Sequence, residues 1–257
     1  MPTDAQKTFD VFISYSHKDE IWKDRLVSHL GVLAEQDLLR TWNDRNLREL
    51  AGQILSPRVF AHIRASTGSP VQQTNCHPFR QGRWLFVHNG VLNGFDTIRR
   101  ALMVAVDPTL FDGIHGTTDS EVLFYLAITQ GLEDDPIGAV ERAVGIVEAT
   151  ARAHGIEHPV QMTLGFSDGE RLFAVRYSSE HTSRSLFVSA DRDSVVALHP
   201  DNPRFRQFTE EDRVVVSEPL SDLPGLWIEV PESTALIIEA GADQHVPFSP
   251  QALAAAG

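Results

Sequence analysis

A few polar residues in the middle of the chain have side chains suited to binding a small charged molecule. Arg64 has a planar guanidinium whose fork of N–H donors matches a carboxylate. Asp119 has a carboxylate that can meet an ammonium group. Asn89 adds a side-chain amide, and Gly90 lets another group come close to its backbone. Such a set could hold a zwitterion and donate hydrogen bonds to an oxygen that gains negative charge.

Each of these residues also has an ordinary structural interpretation. Arg64 could form an ordinary ion pair with no role in ligand binding. Asn89-Gly90 follows the apolar run Trp84–Val87, and Asn-Gly after such a run is typical of a type I′ hairpin turn. Asp119 precedes an apolar segment with helical spacing and could cap that helix. A single short motif is therefore only a hypothesis.

Three motifs that occur in order along the chain favour the binding interpretation. They are Ala61-His62-Ile63-Arg64-Ala65-Ser66-Thr67-Gly68, Val87-His88-Asn89-Gly90 and Thr118-Asp119-Ser120-Glu121-Val122. Two weaker stretches accompany them, Asn75-Cys76-His77-Pro78-Phe79 and Val216-Ser217-Glu218-Pro219-Leu220. In this order they resemble the class II (N-terminal nucleophile) glutamine amidotransferases, in particular the stand-alone bacterial type, over about residues 42 to 248.

The resemblance implies a role for each candidate residue and a fold. Arg64, Thr67 and Asp119 would bind glutamine or a related small amide, with Arg64 on the α-carboxylate and Asp119 on the ammonium group. Asn89 and Gly90 would form the oxyanion hole. The implied fold class is α+β, an incomplete four-layer αββα sandwich of the N-terminal-nucleophile hydrolase type with two antiparallel sheets.

The nucleophile that the resemblance requires has no counterpart in the sequence. Members of the family use a cysteine at the mature N-terminus, whose α-amine can act as the base. Here the chain begins Met1-Pro2-Thr3, and its single cysteine is the internal Cys76. We expect Cys76 to be a small, partly buried side chain, since nothing around it indicates an activated thiol. The prediction is a glutamine pocket without amide hydrolysis.

A second resemblance covers the N-terminus. The stretch Phe9-Asp10-Val11-Phe12-Ile13-Ser14-Tyr15-Ser16-His17-Lys18-Asp19-Glu20 and the later Trp42-Asn43-Asp44-Arg45 are similar to the opening of a TIR domain. We therefore divide the chain into a partial TIR-like segment, residues 1–46, predicted as strand then helix, and an amidotransferase-like domain, residues 47–257, that lacks its N-terminal part. A segment of about 40 residues is too short to fold by itself, so it should pack onto the amidotransferase sheets or stay mobile.

Two other functions remain open at this stage. The chain could be a TIR-type signalling or adaptor protein that binds a protein partner through this segment, without NAD cleavage. It could also be a non-functional fusion product.

The apolar runs after Leu47 predict mostly strands. Short runs bounded by turn residues are Val59–Ile63, Trp84–Val87, Met162–Phe166, Leu172–Tyr177, Leu186–Ser189, Arg213–Val216 and Ala235–Ile238. Two longer segments, Asp119–Gln130 and Pro136–His154, are predicted helices. The strands cluster late in the chain, which favours α+β over repeated βαβ units.

Composition excludes several classes of protein. The formal net charge of −13 argues against a nucleic-acid partner. No apolar run approaches the roughly 18 residues of a membrane span, and the N-terminus lacks a secretory signal, so we expect a cytoplasmic address. The histidines of the motif region do not have the spacing of a zinc site, and we predict no metal and no cofactor; they are His62, His77, His88 and His115.

Overall fold

A computed structural model describes most of the chain. The described residues are 10–14, 58–62, 72–201, 209–220 and 222–250. Arg64, Thr67 and the stretch Trp42–Arg45 lie outside these ranges. The division of the chain at residue 46 also falls outside them and stays a prediction.

The larger of two sheets has six strands. They are β3 (Phe79–Gln81), β4 (Trp84–Leu92), β5 (Val160–Ser167), β6 (Leu172–Ser178), β10 (Thr234–Ile238) and β11 (Gln244–Pro247). Their order is β11-β10-β6-β5-β4-β3, and every neighbouring pair is antiparallel. This arrangement agrees with the antiparallel sheets that we expected.

The second sheet has five strands and is mixed. They are β1 (Asp10–Ser14), β2 (Arg58–His62), β7 (Phe187–Ser189), β8 (Arg213–Val216) and β9 (Trp227–Glu229), in the order β2-β1-β8-β7-β9. The backbone of β1 pairs in parallel with both β2 and β8, while β7 is antiparallel to β8 and β9. The expectation of two purely antiparallel sheets is therefore wrong for this sheet.

Four α-helices lie within the described residues. They are α1 (Phe95–Val104), α2 (Asp119–Thr129), α3 (Pro136–Ala153) and α4 (Arg192–Leu198). The sequence predicted α2 and α3 with nearly these bounds. Both begin with side-chain caps, since Thr118 accepts from the N–H of Glu121 and Asp135 accepts from the N–H of Gly138. None of the described helices is long and apolar enough to cross a membrane.

Two large apolar cores flank the six-stranded sheet. Side chains of α1–α3 pack on one face of the six-stranded sheet, where Phe86, Phe124 and Phe166 are fully buried. The opposite face meets the five-stranded sheet through a second core, which contains Val87, Leu172, Ala174, Leu236 and Ile238 on one side and Leu186, Val188 and Val215 on the other. Each Leu buried in these cores stabilises the fold by about 1.5–3 kcal/mol.

Helix α4 lies outside the second sheet. Val188 and Val215 face the inter-sheet core, so their neighbours Ser189 and Val214 face outward. These two residues line one cavity with Val195 of α4. The layer order is therefore helix, sheet, sheet, helix.

Candidate functional site

Asn89 and Gly90 lie in the middle of strand β4. Each residue from Leu85 to Leu92 has a partner on β5, with Asn89 opposite Thr163 and Gly90 opposite Met162. The hairpin-turn interpretation of Asn-Gly is therefore wrong. The chain leaves the strand further on, at Gly94, where φ is +71° and a residue without Cβ is favoured.

The N–H groups of β4 alternate between two edges. Asn93 donates its N–H to the carbonyl of Pro159, on the β5 side, so Leu92 and Gly90 direct theirs to the opposite edge. Along that edge β3 pairs with β4 only from Trp84 to Phe86 within the described residues. The N–H of Gly90 is thus directed to a part of the edge that β3 does not cover.

Asp119 contacts the same edge of β4 two residues beyond Gly90. It is the first residue of α2, and its Oδ2 accepts the N–H of Leu92 at 2.8 Å. Its Oδ1 accepts the N–H of Ser120 at 2.7 Å. Thr118, rather than Asp119, caps the helix. The half-buried carboxylate uses only part of its acceptor capacity for these bonds, because a carboxylate has about four lone-pair sites.

His88, which precedes Asn89 on β4, links this strand to α2. Its Nδ1 lies 2.9 Å from the hydroxyl of Ser120, and the side chain is buried. Burial lowers the pKa of His88 below its ordinary value, while the Asp119 carboxylate and the backbone of Gln161 oppose that effect. His88 is therefore a neutral, hydrogen-bonded residue that holds the first turn of α2 in place.

Gly90 is required by the close packing around it. A Cβ at this position would lie 1.9 Å from the carbonyl oxygen of Gln161 and 2.5 Å from Nε2 of His88. The carbonyl belongs to the neighbouring strand and cannot move aside. The glycine thus makes room for the imidazole of His88.

The Asn-x-His-Pro and Thr-Asp-Ser-Glu motifs form one hydrogen-bonded unit. The buried Asn75 accepts the N–H of Thr117 at 2.8 Å and donates to its hydroxyl at 3.1 Å. Glu121, also buried, accepts the N–H groups of His115 at 2.9 Å and Gly116 at 2.7 Å. This network anchors the segment that leads into α2 and so fixes where Asp119 lies.

Sequence reasoning missed an arginine beside Asn89. Nη1 of Arg184, in the segment between β6 and β7, donates to Oδ1 of Asn89 at 3.4 Å. Gln161 holds this segment, since it accepts the N–H of Arg184 at 2.9 Å and donates to the carbonyl of Thr182 at 3.1 Å. Arg184 stands far from the motifs in sequence, and only the basic charge of its side chain could have drawn attention to it.

Cys76 differs from its predicted environment. The side chain is exposed, although we expected it to be partly buried. Its thiol donates to the carbonyl of Gln72 at 3.5 Å. The residue that packs inward at this point is its neighbour Asn75, because the 3₁₀ turn Gln73–Asn75 directs Cys76 outward.

The remaining predicted residues are only partly described. Arg64 and Thr67 lie outside the described ranges, so their roles stay predictions. His62 and His77 are neighbours, with ring centroids 4.1 Å apart. Among the described residues, no group of three or more His, Cys, Asp or Glu side chains is placed to hold a metal ion.

Two solved structures have a similar fold. A glutamine aminotransferase class-II domain protein from Silicibacter pomeroyi superposes with a TM-score of 0.60 and 37% sequence identity, over 70% of this chain and 73% of that one. Glutamine phosphoribosylpyrophosphate amidotransferase from B. subtilis has a TM-score of 0.50 at 16% identity, over 73% of this chain and 34% of that one, a likeness of fold alone. The fold is thus that of a glutamine amidotransferase domain.

The family follows from the sequence match. The family model for class-II glutamine amidotransferases matches residues 43–254. The chain belongs to this family.

Two curated relatives extend the comparison. The probable glutamine amidotransferase DUG3 of Saccharomyces cerevisiae is 32% identical over 238 residues, which cover 84% of this chain and 66% of that protein. The gamma-glutamyl-hercynylcysteine sulfoxide hydrolase of Mycolicibacterium smegmatis is 26% identical over 211 residues, or 81% of this chain and 71% of that protein. The chain therefore spans about two thirds of the length of these relatives. The family match begins at residue 43, so the TIR resemblance of the preceding segment stays a prediction.

Proposed function

We propose that this chain binds glutamine, or a related γ-glutamyl amide, along the edge of β4 that β3 does not cover, and does not hydrolyse it. In this proposal Asp119 meets the α-ammonium group, and Asn89 and Gly90 donate hydrogen bonds to the side-chain amide oxygen. Arg64 and Thr67 complete the site, with Arg64 on the α-carboxylate.

The arrangement of Gly90 and Asp119 along one strand edge carries the proposal. Asp119 is hydrogen-bonded to the N–H of Leu92, two residues beyond Gly90. Two residues of strand span about 7 Å, which is comparable to the separation of the ammonium and amide groups in an extended glutamine. A ligand lying along the edge could therefore reach the ammonium partner and the oxyanion donor together.

The names of the relatives support this class of ligand. DUG3 is described as a glutamine amidotransferase, and the mycobacterial protein as a hydrolase of a γ-glutamyl compound. Both descriptions concern an amide on the γ-carbon of a glutamyl group. We extend that chemistry to this chain as a proposal only.

The proposed lack of turnover rests on the single cysteine. Cys76 is internal and exposed, and its thiol donates to a backbone carbonyl. Without an attacking thiolate, oxyanion donors alone leave a residual acceleration of roughly 10³–10⁴ over water, which is too slow to detect for an amide.

The alternative of a TIR-type adaptor protein gains no support from the described contacts, since β1 pairs with β2 and β8 of the five-stranded sheet.

Calorimetry with glutamine tests the binding site. Asp119→Asn removes the charge but keeps an oxygen that can accept the N–H of Leu92. We expect this variant to lose glutamine binding, because removing one member of a desolvated charge pair costs about 2–5 kcal/mol. The matched control is Asp112→Asn at an exposed position, which should bind as the wild type does. Equal affinity of Asp119→Asn and wild type would disprove the assignment.

An ammonia-release assay tests the absence of turnover. We expect no ammonia from glutamine with the wild type and none with Cys76→Ala. Turnover that disappears in Cys76→Ala would instead identify that thiol as the nucleophile. Turnover that survives the substitution would show that another group attacks the amide.

A further inference from the structure

Arg184 has an unexplained position in the structure. Its side chain is exposed, yet its guanidinium reaches the amide of Asn89. Within the described part of the chain, no carboxylate forms an ion pair with it. A guanidinium held beside an oxyanion donor and lacking an acidic partner is available to an anionic ligand.

The segment that carries Arg184 is fixed to the strand opposite the site. Gln161 lies on β5 opposite Val91, one residue after Gly90. Its side-chain amide binds the main chain at both Thr182 and Arg184. Two hydrogen bonds from one side chain hold the segment against β5 and thus keep the arginine near Asn89.

The bond from Arg184 occupies only the oxygen of the Asn89 amide. Because the guanidinium donates to Oδ1, the Nδ2 group of the same amide remains available as a donor. At 3.4 Å this bond is longer than a typical N–H···O bond, so a stronger acceptor could take the guanidinium over. A ligand carboxylate is such an acceptor.

We propose that Arg184 recognises a carboxylate on the amine side of a γ-glutamyl amide, so that the preferred ligand is a γ-glutamyl amino acid or peptide rather than free glutamine. This inference rests on the proposed function, because it takes the glutamyl ammonium group to lie at Asp119 and the amide oxygen at Asn89 and Gly90. The remaining substituent, on the amide nitrogen, then extends past Asn89, where Arg184 lies. Free glutamine has no group there for the arginine to bind.

Three ligands, of which the last two are similar in size, separate the possibilities by calorimetry. They are glutamine, γ-glutamylglycine, which carries a carboxylate on the amine side, and γ-glutamylethylamide, which does not. The wild type should bind γ-glutamylglycine about three- to tenfold more tightly than γ-glutamylethylamide, as expected for one partly exposed arginine–carboxylate contact. The preference should shrink as NaCl is raised, since salt screens exposed charges.

Substitution of the arginine completes the test. Arg184→Gln should abolish the preference for γ-glutamylglycine and leave glutamine and γ-glutamylethylamide unchanged. Arg152→Gln, at an exposed position in the last turn of α3, is the matched control and should keep the preference. Gln161→Leu should weaken γ-glutamylglycine alone, by less than Arg184→Gln does, since it only loosens the segment.

The outcomes distinguish this inference from the proposed function. Binding of glutamine that depends on Asp119, without a preference for γ-glutamylglycine, overturns the role of Arg184 and leaves the glutamine site intact. Equal loss of all three ligands in Arg184→Gln would place the arginine on the common glutamyl part and also overturn the inference. Absence of binding for all three ligands in the wild type would disprove both proposals.

Discussion

At the scale of single residues, Gly90 has the least tolerance for change. Gly90→Ala would place a methyl group 1.9 Å from a carbonyl oxygen of β5, and this contact can be relieved only by separating the strands. We expect a loss of about 3 kcal/mol in the free energy of unfolding, measured by urea denaturation. The control is Val91→Ala on the adjacent, exposed position, which should cost less than about 1 kcal/mol. Similar losses in both variants would contradict the packing argument.

His88 should make stability depend on pH. In the unfolded chain it takes up a proton as the pH falls through its ordinary pKa of 6.5, whereas burial lowers its pKa in the folded chain. Below pH 6.5 the unfolded state thus binds more protons, and the free energy of unfolding falls by up to about 1.4 kcal/mol per pH unit until the lowered pKa is reached.

Urea denaturation at several pH values measures this effect. His88→Gln should flatten the profile between pH 6.5 and about 5, above the range in which most carboxylates titrate. Substitution of the exposed His154 by Gln should leave the wild-type profile unchanged. A profile that keeps its slope in His88→Gln would show that another group is responsible.

The sequence predicts roles for Asn89, Gly90 and Asp119 because each lies in a short local motif, and these roles stay predictions. The secondary structure around Asn89-Gly90 is harder to predict, since an Asn-Gly pair can lie in a turn or in a strand. The position of the Gln161 carbonyl on β5 decides between turn and strand, and the residues next to Gly90 in sequence do not predict that position. Arg184 could not be predicted at all, because its proximity to Asn89 depends on how β5 and β6 pair.

At the scale of elements, strand β1 has a central place in the second sheet. Its backbone lies between β2 and β8, so its N–H groups take part in ladders on both sides. We expect the amides of Val11–Ile13 to exchange with solvent as slowly as those of β8, because exchange from a central strand requires opening of the sheet. Hydrogen exchange by NMR or mass spectrometry measures this.

Edge strand β11 provides the comparison for that experiment. It pairs only with β10 among the described strands, so its amides should exchange faster than those of β1. Fast exchange of β1 together with slow exchange of β8 would contradict the pairing.

The elements predicted from sequence are those with strong apolar patterns. Helices α2 and α3 and the strands β4–β6 were expected from such patterns and are confirmed. Helix α1 was missed, although Ile98 and Leu102 are buried at i, i+4 spacing and would have indicated it. The mixed second sheet could not be foreseen, because the direction of β1 relative to β8 depends on chain segments far apart in sequence.

At the scale of the whole molecule, the six-stranded sheet belongs to both apolar cores. Leu164 faces the helices and Leu236 faces the second sheet, and both are fully buried. We expect Leu164→Ala and Leu236→Ala each to cost about 2–5 kcal/mol and to shift one and the same unfolding transition.

Two probes test this cooperativity. Tryptophan fluorescence and far-ultraviolet circular dichroism should give coincident urea curves for the wild type and for both variants. The exposed Leu198→Ala variant is the control and should change stability little. Transitions that separate in Leu236→Ala would show that the two sheets unfold independently.

The location of Asn89 and Gly90 on a paired strand has a consequence for how recognition could diversify. The backbone conformational entropy of these residues is already lost when the sheet forms, so a ligand bound as proposed would meet a rigid, preorganised edge. Substitutions there disturb the packing of β4 against β5 and α2, which makes them poorly tolerated. In the segment between β6 and β7, the exposed side chain of Arg184 reaches Asn89, while hydrogen bonds to Gln161 and Glu232 hold the main chain around it. If the proposed site is correct, new ligand preferences should therefore arise by substitution of the exposed Arg184, while the strand keeps the same donors.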